Sequence, residues 1–93
     1  MAVPSFLPDH PGKMIAVHVA FESRAAQRGR RPKCPSYFIK ATSTLAESDG
    51  VVERPAGTEL LAFEGEVALI IGKPARNVSL DKAWEHVGYV TAA

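Results

Sequence analysis

Apolar and β-branched residues occur in short runs along the chain, separated by polar stretches that contain proline and glycine. Runs of this composition and length predict β-strands. The run from Leu60 to Gly72 is the longest, and only Glu64, Gly65 and Glu66 interrupt it. We expect it to cross the middle of a sheet. Further strands are predicted at residues 14–21, buried on both faces, at 36–40 and at 88–93, with a brief edge strand at 51–55.

Two segments carry the pattern of short helices. Residues 22–31 place Ala25 and Ala26 among charged residues, and Gly29 near the end predicts a glycine stop. Ser79 is a good N-cap for a second helix over residues 80–87. The turn at residues 56–58 separates the predicted edge strand from the long run. These elements predict an α+β fold that is mainly β.

The length and the charge set limits on function. A chain of 93 residues forms one small domain, which buries only about 60–65% of its unfolded surface and therefore has a thin core. Support from a partner or from a longer chain is expected. The net charge is +1, so no overall field attracts nucleic acid or anionic lipid. No apolar run is long enough to span a membrane. We therefore expect neither a nucleic acid nor a membrane as partner.

The single cysteine and the first residues indicate a cellular location. Cys34 has no second thiol for an internal disulfide, so a reducing cytoplasm is the default expectation. Prolines and an aspartate interrupt the start of the chain, which does not resemble a signal peptide. Residues 1–12 are interpreted as an extended lead-in, and residues 13–93 as the domain.

Glu64 and Glu66 form the clearest candidate site. Residues two apart on a strand point to the same face, so the two carboxylates would converge there. Under an apolar cover, such a pair is costly unless a cation compensates it, and Mg²⁺, Mn²⁺ or Ca²⁺ prefer oxygen ligands. The alternative is that this face is solvated and the pair consists of two surface glutamates.

The other reactive side chains give weaker signals. The histidines lack the spacing of a zinc site, and His18 is expected to be a hydrogen-bonded core or pocket residue. His86, late in the second helix, has a structural role near the helix dipole. Cys34 has no general base beside it in sequence. A solvated loop, or a pocket rim for an anionic substrate, explains the cluster of basic residues Arg24, Arg28, Arg30, Arg31 and Lys33 better than a nucleic-acid surface does.

The order of these segments resembles the fumarylacetoacetate hydrolase family over Lys13 to Ala93. Members typically carry an Asn-Tyr-x-x-His-x-x-Glu segment, a Pro-x-x-Phe-x-Lys strand, a Glu-x-Glu strand ending in a Val-Ile-Gly-Lys-like turn, and a helix before a Gly-Tyr strand. The corresponding segments of this chain are residues 20–27, 35–40, 64–73 and 79–89. Their order and spacing are more specific than any one of them.

The resemblance implies a fold and a metal site. The fold would be part of the family's mixed β-sandwich roll, incomplete at the C-terminus, and the protein would be a homodimer or would pair with a complementing chain. Glu64 and Glu66 would bind Mg²⁺ or Mn²⁺, with Ca²⁺ as a further option. An aspartate just past Ala93 would be the third ligand. Lys40 stands at the lysine of the Pro-x-x-Phe-x-Lys strand and is a candidate catalytic residue.

The chain departs from the family where hydrolytic members activate water. Arg24 and Gln27 stand at the positions of the His-x-x-Glu pair, and neither side chain is a usable base. Ala20 and Phe21 replace the asparagine and tyrosine. These changes favour metal-assisted decarboxylation or isomerisation of a small 2-oxo or diketo acid over hydrolysis of a C–C bond. Arg24 would then bind a substrate carboxylate. The alternative is a non-catalytic relative, or one piece of a split protein, that serves as a structural or interaction module.

Overall fold

A computed structural model of the chain describes residues 11–93, so most of the predicted lead-in lies outside the described residues. The described chain forms two compact units, one ending at Ser48 and the other running from Asp49 to Ala93. Each unit contains one two-stranded antiparallel sheet. We refer to them as the first and the second unit.

The sheet of the first unit joins β1 (Met14–Val17) to β2 (Tyr37–Lys40), with Ile15 opposite Ile39. A 3-10 turn at Thr42–Thr44 follows β2. The strand predicted over residues 14–21 is therefore too long, because the chain turns at His18 and Val19, and Val19 has a φ of 50°. The prediction that this strand is buried on both faces was also wrong. With one neighbouring strand, β1 alternates between half-buried and exposed residues.

Helix α1 (Glu22–Arg28) confirms the predicted glycine stop, three residues before the predicted end at Arg31. Gly29 adopts a left-handed conformation with φ of 63°, and its N–H donates to the Ala26 carbonyl over 3.1 Å. The Arg30 N–H donates to the Ala25 carbonyl over the same distance. This is a Schellman-type ending, which satisfies two carbonyls of the last turn.

The second unit contains β3 (Val67–Ile71), the short helix α2 (Leu80–Ala83), a 3-10 turn at Trp84–His86, and β4 (Val87–Ala92). The helix predicted over residues 80–87 is thus a single α-helical turn that tightens into a 3-10 turn. Ser79 precedes it with extended backbone angles but makes no side-chain cap hydrogen bond. The strand predicted at the end of the chain is confirmed as β4.

Two strand predictions for the second unit were wrong. The apolar run from residue 60 becomes a strand only at Val67, and β3 pairs with β4 alone among the described strands, so it does not cross the middle of a sheet. Residues 51–55 form no strand. The turn at residues 56–58 is confirmed: Gly57 has φ of 81°, and the Thr58 N–H donates to the Pro55 carbonyl over 3.1 Å.

A pair of glycines closes the β3–β4 sheet at its irregular end. The register shifts between Ile70 and Ile71, and just beyond, the Gly72 N–H donates to the His86 carbonyl over 2.8 Å. A Cβ atom on Gly72 would lie 2.9 Å from the Cα atom of Gly88, and one on Gly88 would lie 3.0 Å from the Cα atom of Gly72. Only glycine permits this backbone approach.

The core is thin, as the length predicts. Ala25 is the only buried hydrophobic residue among those described. Each sheet leaves one face apolar and exposed, with Ile15 and Ile39 in the first unit and Leu69 and Val90 in the second. The fold is a small mixed α/β arrangement with two short antiparallel sheets, which agrees with the α+β prediction. In the described part of the chain, no helix is long and apolar enough to cross a membrane.

Candidate metal-binding and substrate-binding site

Glu64 and Glu66 lie where the second sheet begins. The Glu66 N–H donates to the Ala93 carbonyl over 2.8 Å, and the Ala93 N–H donates back to the Glu66 carbonyl over 2.9 Å. These hydrogen bonds continue the ladder by one residue pair beyond β3, so they fix the backbone of Glu66. Glu64 precedes this pair, in a segment without strand hydrogen bonds. Both glutamates are exposed, and the neighbouring Phe63 is 95% exposed.

An apolar cover would make it costly for Glu64 and Glu66 to lie side by side without a shared cation. In the second unit, as described, no such cover lies over the pair. In this structure, the two glutamates are therefore surface residues that face solvent, as the alternative interpretation expects.

The chemistry of the two side chains still suits a hard divalent cation. Carboxylate oxygens are the preferred ligands of Mg²⁺, Mn²⁺ and Ca²⁺, and residues two apart on extended backbone can bind one ion together. Two carboxylates leave most of the six or more positions around such an ion to water or to other ligands. No group of three His, Cys, Asp or Glu side chains among residues 11–93 is placed to hold a metal. The pair thus fits as part of a metal site.

Arg24 and Gln27 are brought together on α1. The Arg24 guanidinium donates from Nη1 to the Gln27 Oε1 atom over 3.1 Å, three residues along the helix. Both side chains are exposed. The hydrogen bond occupies the amide oxygen of Gln27 and leaves other N–H donors of Arg24 available. This surface offers positive charge and hydrogen-bond donors, which suit a carboxylate group.

Lys40 is the last residue of β2 and stands opposite Met14 in the register. Its side chain is exposed and makes no hydrogen bond or ion pair with another described residue. Lys40, Arg24 and Gln27 belong to the first unit, and the two glutamates belong to the second.

His18 confirms the prediction of a hydrogen-bonded pocket residue, although it is exposed and is no part of a core. Its Nδ1 atom lies 3.2 Å from the Ser36 Oγ atom, and its ring packs against Phe38 with 4.6 Å between ring centroids. His86 is half-buried, and its Nδ1 atom is shielded from solvent without a hydrogen-bond partner among the described residues. The sequence pattern carries no signal for this unpaired atom.

A cleft in the first unit gathers most of the basic cluster. It has a volume of about 420 Å³, and its walls include His18, Arg28, Arg30, Arg31, Cys34 and Ser36. Arg31 also forms an ion pair with Glu22. We call this feature the basic cleft. It agrees with the interpretation of the cluster as a pocket rim, and it places Cys34, which is exposed, in a strongly cationic environment.

The net charge of the whole chain hides an opposition between the two units. Residues 9–48 contain seven Lys and Arg against three Asp and Glu, whereas residues 49–93 contain four against seven. The first unit is therefore basic and the second acidic. Counting charge separately on either side of the polar stretch near residue 48 would have revealed this from the sequence.

Comparison with known proteins identifies the class to which this fold and these residues belong. The family model described as "Fumarylacetoacetate (FAA) hydrolase C-terminal" matches residues 11–93. The chain belongs to the fumarylacetoacetate hydrolase family, as the order of its segments indicates.

Individual relatives include isomerases and decarboxylases. The chain is 35% identical over 77 residues to an Arabidopsis thaliana protein named oxaloacetate tautomerase FAHD2, mitochondrial. It is 34% identical over 85 residues to the homoprotocatechuate catabolism bifunctional isomerase/decarboxylase of Escherichia coli, and 31% identical over 83 residues to the mitochondrial oxaloacetate decarboxylase of Dictyostelium discoideum. No solved structure shows a significant match.

The aligned regions cover most of this chain but a minority of each relative. They include 82%, 89% and 87% of the chain, respectively, and 34%, 20% and 38% of the three relatives. The chain thus spans between a fifth and two fifths of the length of these curated relatives.

Proposed function

We propose that this chain contributes the carboxylate part of the metal site in a divalent-metal-dependent enzyme that acts on a small 2-oxo or diketo acid. The observation that carries the proposal is the pair Glu64 and Glu66, which directly precedes β3 in a segment that matches the family, with the Glu66 backbone fixed by its hydrogen bonds to Ala93. Family membership and the tautomerase and decarboxylase relatives support the class of reaction.

The residues of the chain have distinct roles in this proposal. Glu64 and Glu66 hold Mg²⁺ or Mn²⁺ through their carboxylate oxygens. When bound, such an ion supplies Lewis acidity that stabilises the negative charge of an enolate. Arg24, positioned by its hydrogen bond to Gln27, binds a substrate carboxylate, and the Lys40 ammonium supplies a second positive charge for the same anionic substrate.

Decarboxylation or tautomerisation fits this chain better than hydrolysis. Hydrolysis of a C–C bond needs a general base that activates water, and Arg24 and Gln27 stand where that base would be. An arginine stays protonated and a glutamine does not titrate, so the pair can bind an anion but cannot accept a proton.

The proposal is tested by replacing the glutamates in the longest polypeptide that carries these residues. Mn²⁺ affinity and oxaloacetate turnover are measured for Glu64→Gln, Glu66→Gln and the control Glu53→Gln, an exposed glutamate of the same unit. Each of the first two variants should weaken Mn²⁺ binding by about tenfold or more and should reduce turnover, because a charged ligand is lost. Unchanged Mn²⁺ affinity in both would refute the metal assignment.

A second candidate function is that of a structural or interaction module, and the exposed apolar faces of the two sheets favour it. Ile39 is 78% exposed, and Leu69 and Val90 form an exposed cross-strand pair. We propose that these faces are covered in the functional protein by other parts of the family's domain, with a second copy of the chain as the alternative cover. The greater length of the relatives supports this.

Size-exclusion chromatography of the 93-residue chain tests the proposed cover. Self-association is expected, since open strand edges and apolar faces seek partners. A stable compact monomer would contradict it. Turnover of oxaloacetate by a polypeptide that carries these residues would show that the chain is more than a structural module.

A further inference from the structure

The basic cleft of the first unit is lined by three arginines, for which neither the glutamate pair nor the family comparison gives a role. We propose that it is a binding site for a compact multivalent anion, in which the guanidinium groups of Arg28, Arg30 and Arg31 contact closely spaced anionic oxygens. This inference does not rest on Glu64 and Glu66, which belong to the other unit.

Local backbone structure fixes both walls of the cleft. On one wall, the Schellman-type ending at Gly29 sets the direction in which the chain leaves α1, and so positions Arg28 and Arg30. On the other wall, the His18 N–H donates to the Ser36 carbonyl over 2.9 Å, and the two side chains are also in contact. The arginines therefore extend from an ordered backbone, which lowers the entropic cost of binding a ligand.

The charge of the walls selects an anion. Among the described residues, the cleft is lined by three arginines and by no acidic residue. In the same part of the chain, the acidic side chain paired with them is Glu22, whose carboxylate contacts Arg31 from the adjoining hollow. Arg28 and Arg30 make no side-chain hydrogen bond or ion pair with any other residue that the structure describes. Two guanidiniums are thus available, and the third is held by a partner that an anion can displace.

The donor geometry indicates the chemical class of ligand. A guanidinium presents paired N–H donors that match two oxygens of one carboxylate or phosphate group. Several guanidiniums around one cleft favour ligands with two such groups, or one group of higher charge. Compact dicarboxylates and phosphates share this chemistry, and the Ser36 hydroxyl adds a neutral hydrogen-bond partner in the cleft.

The test is a calorimetric titration of the 93-residue chain with malonate and, separately, with inorganic pyrophosphate; acetate is the monovalent control. Arg28→Gln and Arg30→Gln should each weaken binding by about threefold to tenfold, because each removes one charged donor at an exposed site. Arg76→Gln, which removes the same charge from the second unit, should leave the affinity unchanged. Glu22→Gln should tighten binding by about twofold to fivefold, since it frees Arg31.

Cys34 offers an independent readout because it is exposed and lines the cleft. Alkylation by the anionic reagent iodoacetate, relative to the neutral iodoacetamide, should slow when the bound anion occupies the cleft. The rate of alkylation by iodoacetate, divided by the rate for iodoacetamide, should also fall in Arg30→Gln without ligand, because one positive charge is lost. In the unfolded chain, neither the anion nor the substitution should change this ratio of rates.

The titrations distinguish a dicarboxylate ligand from a phosphate ligand, and they also show whether the cleft binds an anion at all. Binding of malonate alone assigns the cleft to a dicarboxylate, and binding of pyrophosphate alone assigns it to a phosphate group. Binding of neither, or equal affinity in the Arg28, Arg30 and Arg76 variants, would overturn the inference. The double variant Glu64→Gln with Glu66→Gln should keep full anion affinity, so loss of the metal site and loss of this site are distinguishable.

Discussion

The first unit uses a glycine to end its helix, and basic side chains line its cleft. The second unit uses two glycines to bring its strands together, and two glutamates precede β3. Gly29 is needed for its left-handed φ of 63°, whereas Gly72 and Gly88 are needed because their backbones approach each other. Seven basic residues outnumber three acidic ones in residues 9–48, and the reverse excess holds in residues 49–93. The comparison shows that two pieces of similar size, each with one small sheet, carry surfaces of opposite charge.

The largest effect on stability is expected from Gly72→Ala or Gly88→Ala in the second unit. An added methyl group at either position would clash with backbone atoms of the opposite glycine, which cannot move aside as a flexible side chain can. Such overpacking costs about 1–3 kcal/mol. Gly65→Ala is the matched control, because open space surrounds its Cβ position. Thermal unfolding and hydrogen exchange at the Gly72 amide measure the change. Equal stability in all three variants would show that the two strands do not pack as described.

A smaller effect is expected from Gly29→Ala in the first unit. Open space surrounds the site, so the cost comes only from the left-handed backbone and should be about 1 kcal/mol. Gly12→Ala, at a position without a positive φ in the same unit, is the control. The helix signal in circular dichroism should fall in the first variant alone. A loss as large as that of Gly72→Ala would mean that steric contacts, and not backbone conformation, require glycine here.

The smallest effects are expected from side-chain pairs on the helices, where the two units should behave alike. Arg24 donates to Gln27 over 3.1 Å, and Lys82 donates to Glu85 over 3.4 Å, both three residues apart. Exposed pairs of this spacing contribute about 0.2–0.5 kcal/mol, so Arg24→Ala and Lys82→Ala should change the free energy of unfolding by that amount at most. Chemical denaturation provides the measurement. A loss above 1 kcal/mol in either variant would indicate contacts beyond the pair.

Much of the fold was predictable because its elements depend on local residues. Gly29 ended a helix, the aromatic and β-branched residues at 37–40 formed a strand, and Val87–Ala92 formed another. The errors came from assuming that apolar residues would be covered. Residues 60–63 are as apolar as β3, and Val51 and Val52 are β-branched, but among the described residues these segments have no neighbouring strand, and a strand needs one.

The sequence indicated which residues form the candidate sites, but it indicated less about their exposure and about which of them lie together. The spacing of Glu64 and Glu66 suggested a shared face, but their exposure depends on tertiary structure that spacing does not encode. The basic cluster was visible as a run of arginines. That Arg28, Arg30 and Arg31 share a cleft with His18 and Cys34 depends on β1 and β2 pairing, which brings residues far apart in sequence together.

Paramagnetic broadening of amide signals by Mn²⁺, in nuclear magnetic resonance spectra of the isotope-labelled chain, directly tests whether the acidic second unit binds a divalent cation at its glutamate pair. We predict that low Mn²⁺ concentrations broaden the signals of Glu64, Gly65 and Glu66 first and leave those of the basic cleft sharp, and that the double variant Glu64→Gln with Glu66→Gln abolishes this pattern. Broadening that begins elsewhere, or that persists around residue 65 in the double variant, would show that the glutamate pair does not bind the cation.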